Sequence, residues 1–524
     1  MSHKRYRHVA FSLLVGGLLL VGLLLFLDRR PAPAQAAPTA TNRYVSPTGW
    51  DSRWEGLIII NNDCTDPTDP CRTVQWAILW SNEGDIIQVA TGVYTAASSA
   101  DAVVAVDKSI TLYGGWDDSF TTRDPEQYPT VLDGERQRRV VYIGEDITVT
   151  LDGFVITRGD ATGHGFDDGC PGGTLGGASG CGGGIYAKNA CPILVNNVIT
   201  DNVATTDDTS GAGYGGGVGI WWADGAVISG NLIISNTAGP GEVRGAGGGL
   251  LVMHSEEINV RGNRVLSNTA TRGGGGLFLR SGSGTVEQNV LRFNESDPYY
   301  SRGAGIEVYF GSYAIRENQV TNNQGNSAVW LMSLSSAFES NEVIGNGTSC
   351  GILLECFFEP GDSLVVNNVV AGGEDGICGS GSADCILTAH LIHNTLVGNG
   401  SGIGVQAGYS ATLYLTNTIV ASYTTGITVS AGVQSQGQVI ADHTLFWANG
   451  DDGIRGTNPV SGDPRFVDPA GGDYHIRAGS AAIGRGVDAG VTTDFDGEGR
   501  VGAPDLGADE YVTYTYLPLT VRNY

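Results

Sequence analysis

The chain has 524 residues, 80 of them glycine, with 41% apolar and only 16% charged positions. That apolar share excludes a disordered chain, and so many glycines with so few charges suit an all-β protein rich in turns. Fifty-five acidic against 29 basic residues give a net charge of −26, which argues against nucleic acid or an anionic membrane surface as partner.

The N-terminus opens with His3, Lys4, Arg5 and Arg7, followed by an apolar run over residues 9–27 and then Asp28-Arg29-Arg30. Ala34-Gln35-Ala36 offers a small-x-small site for signal peptidase. Nineteen apolar residues are long for a signal peptide and barely enough to span a bilayer. Residues 1–36 are therefore expected to be a cleaved export signal or a retained anchor. The body of the protein is expected outside the cytoplasm, secreted or at the cell surface, and to touch the membrane only through this segment. Residues 37–43 read as a linker.

Residues 44–148 are expected to hold an N-terminal cap and the first coils. A strand near Tyr44 leads to a loop that Cys64 and Cys71 can close. A helix follows over 71–80, carrying Val74, Trp76, Ala77, Ile78, Leu79 and Trp80, and then a strand over 86–89. The open end of a stacked sheet exposes unpaired edges and core, so this helix is the natural plug.

From 149 to 457 the chain repeats. Asn197, Asn231, Asn263, Asn289, Asn318, Asn341, Asn368, Asn394 and Asn417 recur at intervals of about 27 residues. Small-residue turns precede apolar runs in step with them, as in Gly182-Gly183-Gly184-Ile185, Gly247-Gly248-Gly249-Leu250 and Gly274-Gly275-Gly276-Leu277. Inside one period the apolar residues alternate: Leu250 to His254, then Ile258 to Val260, then Arg264 to Leu266. Three short strands with three turns make one coil of a parallel β-helix. Helical repeats and propeller blades need other periods. Each asparagine is expected at a sharp corner, tolerating a left-handed backbone and bonding its counterpart one coil away. The glycine triplets serve the opposite corner.

Taking Ile185, Val218, Leu250, Leu277, Ile306, Val329 and Ile352 as inward, one outward row is Tyr186, Gly219, Leu251, Phe278, Glu307, Trp330 and Leu353. The next is Lys188, Trp221, Met253, Arg280, Tyr309, Met332 and Glu355. Coils about 4.8 Å apart make these rows one continuous face. Tyr186, Lys188, Trp221, Phe278, Tyr309 and Trp330 are the candidates for holding a glycan, since rings stack on sugar faces and charges hold hydroxyls or carboxylates. The same face also suits cover by a loop or another protein. In a lyase, Arg280 would be the base and Glu307 or Glu355 would help hold calcium near a uronate. A hydrolase would use Glu307 and Glu355, two coils or about 10 Å apart.

Nine cysteines agree with an oxidising compartment. Cys64 with Cys71, Cys350 with Cys356 and Cys378 with Cys385 can each close a short loop. Cys170, Cys181 and Cys191 leave one unpaired. No Cys-x-x-Cys pair supports zinc. Residues 458–511 are loop-rich and expected to close the far end, with a tail over 512–524. Within them, Asp494, Asp496, Glu498 and Asp505 follow the layout of a calcium-binding loop, with Gly499 at its sixth position and Val501 at its eighth. Calcium is thus the one cofactor the sequence suggests.

Several segments carry a family resemblance. Pro70-Cys71-Arg72-Thr73-Val74-Gln75 with Gly84-Asp85-Ile86-Ile87-Gln88-Val89 resembles the first coil of exported bacterial right-handed parallel β-helix proteins of the pectate-lyase-like superfamily. Gly114-Gly115-Trp116 and Tyr128-Pro129-Thr130 are similar to a further segment of these proteins. Ala482-Ile483-Gly484 and Asp505-Leu506-Gly507-Ala508-Asp509-Glu510 resemble the closing segment of members with a choice-of-anchor tail. The resemblance implies the fold and leaves activity open, since the superfamily holds lyases, glycosidases, epimerases and adhesins. The Asn-Thr-Asp and Arg-Ile-Lys signatures of polygalacturonases and the Arg-x-Pro-x-x-Arg of pectate lyases are missing, and His164, Asp167 and Asp168 stand in the wrong order. The expectation is a non-catalytic surface or secreted protein that binds polysaccharide or another surface component along its long face. A polysaccharide lyase or glycosidase on the same face is the alternative.

Overall fold

The alternating apolar residues form strands whose inner side chains stack from coil to coil. The computed structural model describes residues 40–512 except 56, 97–99, 164–179, 208–211, 240–243, 298–301, 333–335, 358–360 and 431–436. The segment 1–36, Cys170, His164, Asp167, Asp168 and nearly all of the tail lie outside the described residues. Among the described residues no helix is long and apolar enough to cross a membrane.

Three long parallel sheets run the length of the molecule. The first has 14 strands, from Asn42–Val45 to Gln438–Asp442; the second has 14, from Gly92–Tyr94 to Val460–Ser461; the third has 13, from Ala102–Val106 to Asp451–Gly453. One coil visits the third, first and second sheet in turn, as in Leu250–Met253, Ile258–Arg261 and Arg264–Leu266. Ile185, Val218, Leu250, Leu277, Ile306, Val329 and Ile352 pair in one register and are all buried, as the alternation requires. Each such side chain contributes about 1.5–3 kcal/mol of hydrophobic stabilisation.

The asparagines do lie in file. The Asn231 amide nitrogen and Nδ2 both donate to Asn263 Oδ1, at 3.0 Å each, and Asn263 repeats this toward Asn289 at 2.9 Å. This ladder runs unbroken from Asn197 to Asn394. The corner itself departs from expectation. The left-handed backbone falls on the residue before each ladder asparagine: Asn196, Gly230, Gly262, Gln288 and Glu317. The asparagine's task is to satisfy buried backbone, with Nδ2 of Asn263 donating to Ile228 O at 2.8 Å. Asn417 is one of the left-handed residues (φ 54°) and stands one position before the ladder place. A second ladder escaped the sequence reading: Asn202, Asn236, Asn268, Asn294, Asn323 and Asn346, five residues after members of the first, line the next corner in the same way.

Glycine is required at the third corner. Gly274 has φ 49°, and a Cβ on Gly275 would lie 2.4 Å from Glu295 O of its own coil and 2.9 Å from Ala304 O of the next. Gly275→Ala should therefore cost about 1–3 kcal/mol by forcing stacked backbones apart. A thermal midpoint equal to the parent's would contradict that close approach.

The solenoid takes in the end of the stretch read as a linker. Asn42–Val45 is already its first rung, paired with Ile86–Ala90. The helix Val74–Trp80 is shorter than expected because Thr73 caps it, its hydroxyl accepting from the Trp76 amide. Val74, Ala77 and Ile78 join the core as a plug. Cys64–Cys71 forms as expected. The other pairing is corrected: Cys350 bonds Cys378 and Cys356 bonds Cys385. Separations of 28 and 29 residues equal one coil, so stacking sets these partners 6.2 and 5.8 Å apart between Cα atoms. Cys181 is also disulfide-bonded, whereas Cys191 is free and half-buried.

Residues 458–511 do more than close an end. Val460–Ser461 completes the second sheet, and the chain then folds back along that sheet's outer face. Its outward positions Val369, Val397, Ile419 and Leu445 are apolar, and Phe466, Tyr474, Ile476 and Leu506 pack on them. Arg500 locks this strap through Glu510, Asn367 Oδ1 and the Ala508 carbonyl.

Candidate functional site

The outward row of the third sheet is in the predicted register: Tyr186, Gly219, Leu251, Phe278, Glu307, Trp330 and Leu353 pair in sequence. Of the two expectations for this face, cover is the one found. Tyr186 and Trp221 are fully buried, and Phe278 and Trp330 are 7% and 5% exposed. The segments before the glycine triplets cover them. Gly180–Cys181, Ala212–Tyr214 and Arg244–Ala246 form a short parallel sheet. Cys181, Tyr214 and Ala246 from it pack with Tyr186, Trp221, Leu251 and Phe278. The physical reason is area: adjacent coils would otherwise show water a continuous strip of large apolar side chains. Lys188 is held by Glu145 at 3.0 Å, and Tyr309 packs edge-on against Trp330.

The three catalytic candidates are each engaged. Glu307 is buried, and its Oε2 accepts from the amides of Gly274 and Gly303 at 3.2 and 3.1 Å. Burial pushes its carboxyl up to about 7, against the pull of those amides and of Arg302. Glu355 pairs with Arg302, a residue the sequence reading missed, and the Arg302 guanidinium lies 5.3 Å from the centres of both Trp330 and Phe357. Arg280 lies over the Tyr309 ring at 4.9 Å. Among the described residues these groups pack against one another, with Arg302 still 40% exposed.

Among the described residues, Asp494, Asp496, Glu498 and Asp505 do not stand as one group of gathered ligand atoms. Asp494 Oδ1 accepts from the amides of Asp496 and Glu498, and its Oδ2 from Glu510 N. Asp505 accepts from Gly484 N and Tyr511 N. Both carboxylates brace turns of the strap, while Asp496 reaches His475 at 2.7 Å.

The outward row does open at its N-terminal end. It extends backward from Tyr186 to Tyr142 and Ala105. There a cavity of about 850 Å³ opens between this sheet and the capping helix. Gln75 of the helix clamps Ala105, donating to its carbonyl at 3.1 Å and accepting from its amide at 2.7 Å. Tyr142 and the exposed Asp101 line the cavity, with Tyr94, Thr73 and Arg139. Arg139 is anchored beneath, its guanidinium 5.0 Å from the Tyr186 ring and donating to Cys181 O. One more step back along the predicted row would have found Tyr142.

The sequence matches a family model described as a right-handed β-helix region over residues 248–420, and one for a protein family of unknown function, DUF1565, over residues 60–295. No curated protein matches the sequence. Among solved structures the chain is similar to pectate lyase Pel9A, at 14% identity and TM-score 0.39, over 91% of this chain and 97% of that one. It is similar to XylC solved with xylose, at 10% identity and TM-score 0.40, over 90% and 98%. A third similarity is to GH136 lacto-N-biosidase from Eubacterium ramulus, at 10% identity and TM-score 0.27, over 78% and 68%. The matched descriptions and the stacked three-sheet coils agree: the chain is a right-handed parallel β-helix protein.

Proposed function

We propose that this β-helix protein is an exported, non-catalytic binder that takes an oligosaccharide in the cavity beside its capping helix. The observation that carries the reading is an open stretch of the third sheet's outer face, a cavity of about 850 Å³ lined by Tyr142, Asp101 and Thr73 among others. That volume suits a small ligand of a few rings. Tyr142 offers a ring face, and Asp101 with neighbouring hydroxyls offers acceptors and donors for sugar hydroxyls. Asp101 is the one acid among the described lining residues, and a glycosidase needs two carboxylates flanking the bond. The disulfides support an oxidising, extracellular setting.

The test is calorimetric titration with uronate-rich and neutral oligosaccharides. Tyr142→Ala and Asp101→Ala should each weaken binding at least about tenfold, about 1.4 kcal/mol. Lys188→Ala, on the covered stretch, should leave it unchanged. New reducing ends or an unsaturated ultraviolet-absorbing product would overturn the non-catalytic reading, and equal binding by all three variants would remove the cavity from it.

A further inference from the structure

Beside its first rung the solenoid carries a hairpin whose tip is left bare by the described residues. Ser52–Glu55 pairs antiparallel with Ile58–Asn61, setting Trp54 opposite Ile59 and Glu55 opposite Ile58. Trp54 is 70% exposed and Leu57, in the turn, 96%. Ile58 and Ile59 are exposed too, although neighbours along a strand point to opposite faces, so neither face of the tip is covered.

The root of the hairpin, by contrast, is braced. The Asp51 carboxylate accepts from the amides of Arg72 and Thr73 at 2.8 and 3.1 Å and from the Thr73 hydroxyl at 2.8 Å. The buried Asn62 donates to Trp50 O and Asp69 O, and the Cys64–Cys71 disulfide closes the loop that follows. Arg53 bonds Glu55 at 3.0 Å, so the two charges of the hairpin cancel. A two-stranded hairpin with nothing packed on it is marginal in water. This one is pinned at its root and offers an uncharged, apolar tip, which calls for an apolar partner.

Sequence and charge choose that partner. Fourteen residues, 28–41, separate the apolar run 9–27 from the first rung at Asn42, and the hairpin starts ten residues further on. At about 3.5 Å per extended residue the connection reaches no further than about 50 Å. With the run retained in a bilayer as an anchor, one of the two expectations for it, the hairpin stays within reach of lipid. A second copy is the poorer occupant, since each copy carries a net charge of −26. A tryptophan beside three aliphatic side chains also matches the boundary between headgroups and acyl chains, where its amphipathic ring is favoured.

We propose that the tip of this hairpin, formed by Trp54, Leu57, Ile58 and Ile59, dips into the boundary layer of an uncharged lipid surface beside the anchor. The inference rests on the anchored reading of residues 1–36. The hairpin adds a second membrane contact and holds the capped end of the solenoid at the surface, where a bare tether would leave it free.

The experiment uses the full-length chain, reconstituted into phosphatidylcholine vesicles whose acyl chains are brominated near the headgroup. Bromine quenches tryptophan only at close range, and residues 1–40 hold no tryptophan, so quenching reports on the folded body. The parent should float with the vesicles and its fluorescence should be quenched. Most of that quenching should be lost in Trp54→Phe and in the double variant Leu57→Asp, Ile58→Asp. Trp447→Phe, near the far end of the second sheet, should be quenched like the parent. The altered side chains are exposed, so each variant should keep the parent's thermal midpoint. Flotation with equal quenching of parent and hairpin variants would overturn the hairpin contact and leave the anchor standing, whereas a parent that does not float would overturn both. An unquenched parent whose dimers, seen by sedimentation, disperse in the double variant would make a second copy the occupant and overturn the lipid contact.

Discussion

Glu307→Gln should make the protein more stable than the parent at pH 8 and no different at pH 4. The Glu307 carboxyl is held up to about 7 in the folded chain, chiefly by burial, whereas an unfolded chain releases its proton near 4.5. Between those values the folded state binds more protons than the unfolded one, so stability falls as pH rises. Below the lower value both states are protonated and the group is neutral in effect. Above about 7 the penalty is complete, about 3 kcal/mol at 1.36 kcal/mol per pH unit. Glutamine keeps an oxygen for the amides of Gly274 and Gly303 and removes the charge. The measurement is the difference between parent and variant unfolding free energies from urea titrations at pH 4 to 9. Taking the difference cancels Asp509, whose carboxyl is likewise raised, to about 6. A flat difference curve would show that Arg302 fully compensates the buried charge.

Asn263→Leu should open the middle of the solenoid. Asn263 is fully buried and closes four side-chain hydrogen bonds: two accepted from Asn231, one donated to Ile228 O and one to Asn289 Oδ1. Leucine strands at least the Asn231 amide and the Ile228 carbonyl in the core. At about 2 kcal/mol per stranded buried group, the loss is about 4 kcal/mol. Because each coil contacts only its neighbours, the damage should be local. Hydrogen exchange read by mass spectrometry should show faster exchange in peptides spanning residues 227–292 and no change beyond residue 400. Uniform acceleration along the chain would show that the coils unfold as one unit and that the ladder is not a local support.

Much of the architecture was legible because a solenoid repeats its physics. Period-two alternation at Leu250, Val252, Ile258 and Val260 identified strands and their inner side chains, and a step of about 27 residues set three strands per coil. The same step placed Tyr186, Leu251, Phe278 and Trp330 in one column. Within the candidate site, Glu307 and Trp330 were singled out from sequence, but Arg302, Arg139 and Tyr142 were not. Arg302 sits in a segment outside the regular alternation, where no period assigns a direction to its side chain.

Alternation along the chain by itself determined which side of each strand faces the core, since inner and outer positions differ by one residue and no tertiary information is needed. It could not say what lies over the outer side. Cover for Trp221 comes from Cys181 and Tyr214, seven or more residues away in short strands outside the repeating alternation, and cover for Ile419 comes from Leu506 after the chain reverses. The cysteine pairing failed for a related reason. Cys350 and Cys356 are near in sequence, but stacking brings Cys378 and Cys385 beside them from the next coil. Contacts across coils and between loop and sheet depend on how the chain returns through space, and only the tertiary structure decides that path.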